Sequence, residues 1–151
     1  MSLRHGLAAG AAGTSALNIA TYMDMAVRGR PASETPVKDV ETLAERAGVS
    51  LGESDEAEQR KQGVGALMGF VTGVAGGVAY GIVHPLARHL PRPLAAAALG
   101  VGVMAATDGI SLALHNTTDP REWAPADWAA DLIPHLAYGA ATVATYGALA
   151  R

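Results

Sequence analysis

Four long stretches that are nearly free of charged residues constrain this chain more than any other feature of its sequence. The stretches are residues 6–23, 64–83, 94–114 and 132–150, which contain 18, 20, 21 and 19 residues and only one Asp, Glu, Lys or Arg. An α-helix rises about 1.5 Å per residue, so about 20 residues cross the roughly 30 Å hydrocarbon layer of a bilayer. The sequence therefore predicts an all-α, polytopic membrane protein built as a bundle of four transmembrane helices.

The chain is predicted to form one membrane domain, residues 1–151, in which polar segments separate the spans. The spans are about 3–27, 62–84, 93–115 and 128–150. The first span differs from a cleaved signal peptide because its apolar run exceeds the roughly 7–15 residues of a signal-peptide core. We therefore expect the first span to be retained.

The polar segment 28–61 between the first two spans carries 14 of the 25 charged side chains. Within it, apolar residues recur at spacings of three and four over 37–47, which predicts a short amphipathic helix. Thr35 is predicted as its N-cap, Pro36 as its first helical residue and Gly48 as its terminator. The helix could lie on the membrane surface or dock under the bundle. The charged residues assigned to its opposite, polar face are Lys38, Asp39, Glu41, Glu45 and Arg46.

The other connections are shorter. Three prolines in the segment 84–93 predict a tight, non-helical turn between the second and third spans. The loop 116–127 joins the third and fourth spans, and Trp123 and Trp128 in or beside it suit the headgroup layer. Ser54 is predicted to open a helical stretch that continues into the second span.

Glycine recurs at every fourth position throughout the second span. In lipid, such a row (a glycine zipper) lets another helix approach closely and gain dispersion contacts. The row either places the second span at the centre of the bundle, which we favour, or forms a seam between two protomers. The predicted helix-packing residues are Gly65, Gly69, Gly73, Gly77 and Gly81.

Asp24, Asp108 and His135 lie in three different predicted spans, in the same half of the membrane. Asp108 and His135 lie eight residues before and after the loop 116–127, at about 12 Å depth, so we predict that they face each other. Asp24 lies about one turn from the end of the first span, where Arg28 can reach it. Such pairs either hold helices together or form a proton- or cation-responsive site. The candidate polar site comprises Asp24, Asp108, His135, Asn18, His115 and Arg28.

Several functional classes are excluded or disfavoured. The net charge of −3 without a basic face argues against nucleic-acid binding, and the absence of cysteine excludes thiolate chemistry. No serine-hydrolase, phosphate-loop or zinc-protease motif is present, which favours a protein that is not an enzyme. Asp127, Asp131 and His135 have a metal-compatible spacing, but helix capping by Asp127 and a favourable helix-dipole position for Asp131 explain two of them. We predict no metal and no cofactor.

Two groups of residues carry a resemblance to a known family. The first lies in 22–44 and includes Tyr22-Met23-Asp24-Met25, Arg28-Gly29-Arg30-Pro31 and Thr35-Pro36; the second includes Asp127-Trp128, Asp131 and Pro134-His135-Leu136-Ala137-Tyr138-Gly139. The chain resembles, over most of its length, a family of uncharacterised small actinobacterial membrane proteins. The resemblance implies a four-span membrane protein and supplies no activity.

Three functions are compatible with the sequence. The leading hypothesis is a non-enzymatic integral membrane protein that acts as a scaffold, an accessory subunit or a helix-packing oligomer. The alternatives are a small transporter or channel that uses the Asp/His site and an intramembrane enzyme that acts on lipid. The expected partners are the lipid bilayer and either a second copy of the chain or another membrane protein. Seven basic residues on the side of loop 28–61 against four on the other favour a multi-pass protein of the cell membrane with this loop in the cytoplasm.

Overall fold

The computed structural model describes residues 2–151, apart from the side chain of Ser54, and the described part is helical without any strand. This confirms the prediction of an all-α protein. The elements are α1 (Leu3–Arg28), α2 (Thr35–Ala47), α3 (Ser54–Ala87), α4 (Arg92–Ala113), a short 3-10 helix (Pro120–Glu122) and α5 (Pro125–Leu149).

Two of these helices are long and apolar enough to cross a membrane, namely α3 over Asp55–Ala87 and α4 over Arg92–Ala113. The long helices α1 and α5 lie where the first and fourth spans are predicted, but they do not meet the same hydropathy criterion. The reason is their composition, because both are rich in Ala, Gly and Thr and carry polar residues such as Asn18 and Asp131.

The four long helices pack as two antiparallel pairs, α1 with α3 and α4 with α5. The two pairs join through α1 and α5, so the helices are ordered α3, α1, α5, α4, and the outer helices α3 and α4 have little contact. The prediction that the glycine-rich second span lies at the centre of the bundle is therefore wrong. The centre is formed by the first and last long helices.

Helices α1 and α3 cross at close range. A Cβ atom added to Gly77 would meet the backbone of Gly10 and would lie 2.6 Å from the carbonyl oxygen of Gly6. A Cβ atom added to Gly10 would lie 2.7 Å from the carbonyl oxygen of Val74 and would also crowd Gly73. Two glycine-containing faces thus touch backbone to backbone, which is the arrangement that favours helix association in lipid.

The rest of the glycine row contacts different partners. Gly65 faces Pro36 of α2, and Gly81 faces the ring of Tyr146 in α5. Gly69 has nothing within 4 Å of where its Cβ would be, so it packs against no other described element of this chain. An α-helix turns about 100° per residue, so a row at every fourth position rotates by about 40° per step and does not face a single partner.

A second glycine contact, which the sequence analysis did not identify, joins α4 to α5. A Cβ atom on Gly139 would meet the carbonyl oxygen of Ala96, and one on Gly100 would meet that of His135. This contact fixes α5 against α4 at the level of His135. It therefore helps to place the ionisable side chains of the two helices opposite each other.

Two helix ends differ from their predictions. Helix α2 begins at Thr35 with Glu34 as its N-cap, so the Thr35 side chain does not cap it; Gly48 ends it in the left-handed conformation, at φ 65°. Helix α3 continues through Pro85 to Ala87, which leaves only 88–91 for the turn to α4. Proline is tolerated so near the helix end because it removes only one backbone hydrogen bond. The next part of the helix is kept, since the Arg88 N–H still donates to the His84 C=O at 2.8 Å.

Candidate functional site

A cluster of ionisable side chains joins α4 and α5 near the long-loop end of the bundle. The buried ring of His135 has its Nδ1 atom 2.8 Å from the carbonyl oxygen of Asp131 and 3.1 Å from the Asp131 carboxylate. A carbonyl oxygen only accepts hydrogen bonds, so Nδ1 carries the hydrogen and His135 donates to Asp131. One helical turn of α5 thus orients the imidazole.

Asp108 of α4 completes this cluster. Its carboxyl group lies close enough to Asp131 and His135 to interact with both electrostatically. One oxygen of Asp131, Oδ2, is buried and has no hydrogen-bond partner among the described residues. Two carboxylates cannot donate to each other, so a proton on either group is needed to convert the contact into a hydrogen bond.

The structure therefore brings Asp108 close to Asp131 and His135. Asp131 was assigned to the start of the fourth span, where a carboxylate favours the helix dipole. Asp127 does act there as a cap, because it accepts a hydrogen bond from the Ala124 N–H at 3.1 Å. Within the described residues, no three His, Asp or Glu side chains are arranged so that they could hold a metal ion.

The other predicted site residues lie elsewhere. Asp24 is bound by Arg28, whose Nε is 2.6 Å away, and by Arg30, and these three form a separate ionic cluster at the end of α1. Asn18 is half-buried and makes no side-chain hydrogen bond with the described residues, and His115 is exposed beyond the end of α4 at φ 63°. The structure therefore does not gather the six candidate residues into one site, although Arg28 contacts Asp24 as predicted.

Helix α2 docks under the bundle through polar contacts. Asp39 accepts a hydrogen bond from the Ser111 hydroxyl at 2.6 Å and another from the Asn116 amide at 2.8 Å, while Thr42 also bonds to Asn116. Val40 lies between these residues and is 3% exposed. Asp39 was predicted on the polar face of α2, opposite its apolar residues, and in the structure that edge of α2 meets the end of α4.

A second contact ties α2 to the start of α3. Lys61 donates a hydrogen bond to the Glu41 carboxylate. The Lys61–Glu41 contact and the contact between Gly65 and Pro36 attach α2 to α3. The hydrogen bonds of Asp39 attach α2 to the end of α4. Helix α2 therefore bridges the two outer helices, which otherwise have little contact.

The opposite end of the bundle contains a histidine–tyrosine cluster that the sequence analysis did not predict. The ring of Tyr146 packs against His84 and Tyr80, with ring centroids 4.6 and 5.4 Å apart, and against His5 at 6.0 Å. A cavity of about 320 Å³ opens beside it, lined by Ser2, His5, Gly81, His84, Pro85 and Tyr146 together with Ala150. Sequence spacing could not predict this cluster, because its residues come from three different helices.

Comparison with known proteins adds no further information about the site. A scan against models of protein families, a search of curated proteins and a search of solved structures each found no match. The likeness to small actinobacterial membrane proteins therefore stays a prediction from the sequence.

Proposed function

We propose that the chain is a four-span integral membrane protein that acts without catalysis, as a scaffold or accessory subunit in the bilayer. The distribution of its apolar side chains is the observation that supports this proposal. Large apolar residues point outward on all four long helices; examples are Val27, Leu67, Leu86, Val101 and Ile133, which are between 47% and 83% exposed. Such an extensive apolar surface is unfavourable in water and suits contact with lipid chains.

The interior is richer in small and polar residues than the exterior. Its buried residues include Ala9, Ala95, Ala96, Thr14, Ser111 and Thr142, together with the larger Tyr80, Met104, Tyr138, Val143 and Tyr146. Small and hydroxyl-bearing residues between helices, with large apolar residues outside, are typical of packing within a membrane, because lipid gives helices no hydrophobic reason to bury leucine.

The packing also supports a membrane location for the two more polar helices. Helix α1 runs antiparallel along α3, with Gly6 beside Val78 and Gly10 beside Val74. Helix α5 runs along α4 in the same way, with Gly139 beside Ala96. If α3 and α4 cross a bilayer, α1 and α5 lie at the same depths, and polar residues such as Thr14, His135 and Thr142 are buried in the bundle.

The membrane proposal is tested by alkaline carbonate extraction of membranes from cells that express the chain. We expect the protein to stay in the membrane pellet and to be released only by detergent, because its apolar surface surrounds the bundle. A peripheral protein of the same membranes serves as the control and should be released. Recovery of the intact protein in the carbonate supernatant would contradict the proposal.

The cluster of Asp108, Asp131 and His135 favours a second candidate function, a proton-responsive site in a small transporter or channel. The unpartnered Asp131 oxygen is the specific observation, because binding of a proton there would complete the hydrogen bonds of the cluster. The test is the rate of proton entry into proteoliposomes that contain a pH-sensitive dye. Transport through this site predicts that Asp108→Asn slows proton entry to the rate of protein-free liposomes, while the control Asp119→Asn does not. Equal rates for wild type and Asp108→Asn would exclude this candidate.

The long-loop side is proposed to face the cytoplasm, on the count of basic residues given above.

A further inference from the structure

The acidic side chains of this protein are confined to one end of the bundle. All 14 Asp and Glu residues lie in 24–58 or 108–131, at the end where the long loop and the tryptophan loop meet. The other end holds the start of α1, the turn between α3 and α4 and the end of α5; we call it the arginine end. Its arginine and histidine side chains are Arg4, Arg88, Arg92, Arg151, His5, His84 and His89.

The two ends also differ in how their charges are paired. On the long-loop side, Arg28, Arg30, Lys38, Arg60 and Lys61 each contact a carboxylate. At the arginine end, none of the four arginines forms an ion pair with a described residue, because no acidic side chain is near. This end therefore has an uncompensated positive field of about four charges.

The histidine–tyrosine cavity opens at this positive end. His5 and His84 approach Tyr146 from two sides, and both are only partly buried. Imidazole N–H and phenol O–H groups are hydrogen-bond donors, and Arg92 is close enough to the neighbouring Tyr80 to interact with it electrostatically. The helix dipoles contribute little net field here, because α1 and α4 begin at this end while α3 and α5 end there.

We propose that this cavity binds the phosphate group of an anionic phospholipid. The inference depends on the membrane location proposed above, which puts His5, two residues into α1, and His84, three residues before the end of α3, near the headgroup layer. A cavity of about 320 Å³ is within the usual range for small ligands. Basic residues at the membrane surface attract anionic lipids, while the trimethylammonium group of phosphatidylcholine would be repelled by the arginines.

The test uses the full chain in detergent micelles and measures binding by isothermal titration calorimetry. The ligands are short-chain phosphatidylglycerol, short-chain phosphatidylcholine and inorganic phosphate. The variants are His5→Gln/His84→Gln, which changes the cavity, Arg92→Gln, which removes a nearby charge, and Arg46→Gln as a control. Arg46 is exposed at the acidic end of the bundle, so its loss removes the same charge far from the cavity.

We expect phosphatidylglycerol to bind more tightly than phosphatidylcholine. Arg92→Gln should weaken this binding about fivefold, and the double histidine variant should weaken it at least as much, while Arg46→Gln should bind as wild type does. Circular dichroism of each variant in the same detergent establishes that it is folded.

Equal binding of the two lipids, or undiminished binding by the folded histidine variant, would overturn the inference. Equally tight binding of inorganic phosphate would overturn the assignment to a lipid. Carbonate extraction is independent of these measurements, so a failure of the membrane proposal can be distinguished from a failure of the lipid site.

Discussion

Gly77→Ala is expected to destabilise the folded bundle by about 1–3 kcal/mol, which is the usual range for overpacking a tight contact. The added methyl group would meet the backbone of Gly10 and the carbonyl oxygen of Gly6, and a backbone cannot move aside as a flexible side chain can. The two helices α1 and α3 must therefore separate. Alanine is the better helix former by up to about 1 kcal/mol, and we expect the steric effect to exceed this gain. The measurement is unfolding by SDS titration in mixed micelles.

Gly69→Ala is the matched control, because it makes the same change in the same helix and in the same glycine row. Nothing lies within 4 Å of the position of its new methyl group. The only expected effect is the gain in helix propensity, so stability should be unchanged or slightly higher. Equal destabilisation at both positions would show that the contact between α1 and α3 does not have the geometry described.

Asp39→Ala is expected to release α2 from the bundle. The substitution removes the acceptor for Ser111 and for Asn116, and hydrogen bonds to a charged group in a half-buried position contribute about 2 kcal/mol. That free energy corresponds to about a thirtyfold increase in the local opening of α2. Amide hydrogen exchange over residues 35–47 measures it, with the rates in α4 and α5 as an internal reference.

Glu45→Ala is the control for this prediction, since Glu45 is an exposed carboxylate of the same helix and makes no ion pair with a described residue. Its replacement should leave the exchange of α2 unchanged. If Asp39→Ala and Glu45→Ala gave the same exchange rates, the docking of α2 through Asp39 would be contradicted.

The helices of this protein could be predicted from the sequence because their signals are local. Long uncharged runs mark the four long helices, and Gly48 marks the end of α2 because only glycine adopts a left-handed backbone there without strain. Helix partners could not be predicted in the same way. The row from Gly65 to Gly81 indicates that some neighbouring helix approaches closely. That this neighbour is α1 depends on the matching glycines at positions 6 and 10, which are far away in the chain.

The polar groups show the same limit. Counting residues from the loop puts Asp108 and His135 at one depth, and the structure places them in one cluster. Asp131 was not included because the helix dipole already gave it a local explanation. Asp39 was placed only on the polar face of α2, since an amphipathic pattern separates apolar from charged residues and contains no information about Ser111 or Asn116. In both residues a tertiary contact determines the role.

The most direct test of the four-span proposal uses the absence of cysteine from the chain, which allows single-cysteine variants without background. The variants are Ser2→Cys, Ser50→Cys, His89→Cys and Thr118→Cys, each treated with a membrane-impermeant maleimide from one side of sealed vesicles and then after permeabilisation. Four spans predict that Ser2→Cys and His89→Cys react from one side, and Ser50→Cys and Thr118→Cys from the other. If Ser2→Cys instead reacted from the same side as Ser50→Cys and Thr118→Cys, with His89→Cys alone on the other side, only α3 and α4 would cross the membrane and the account would be contradicted.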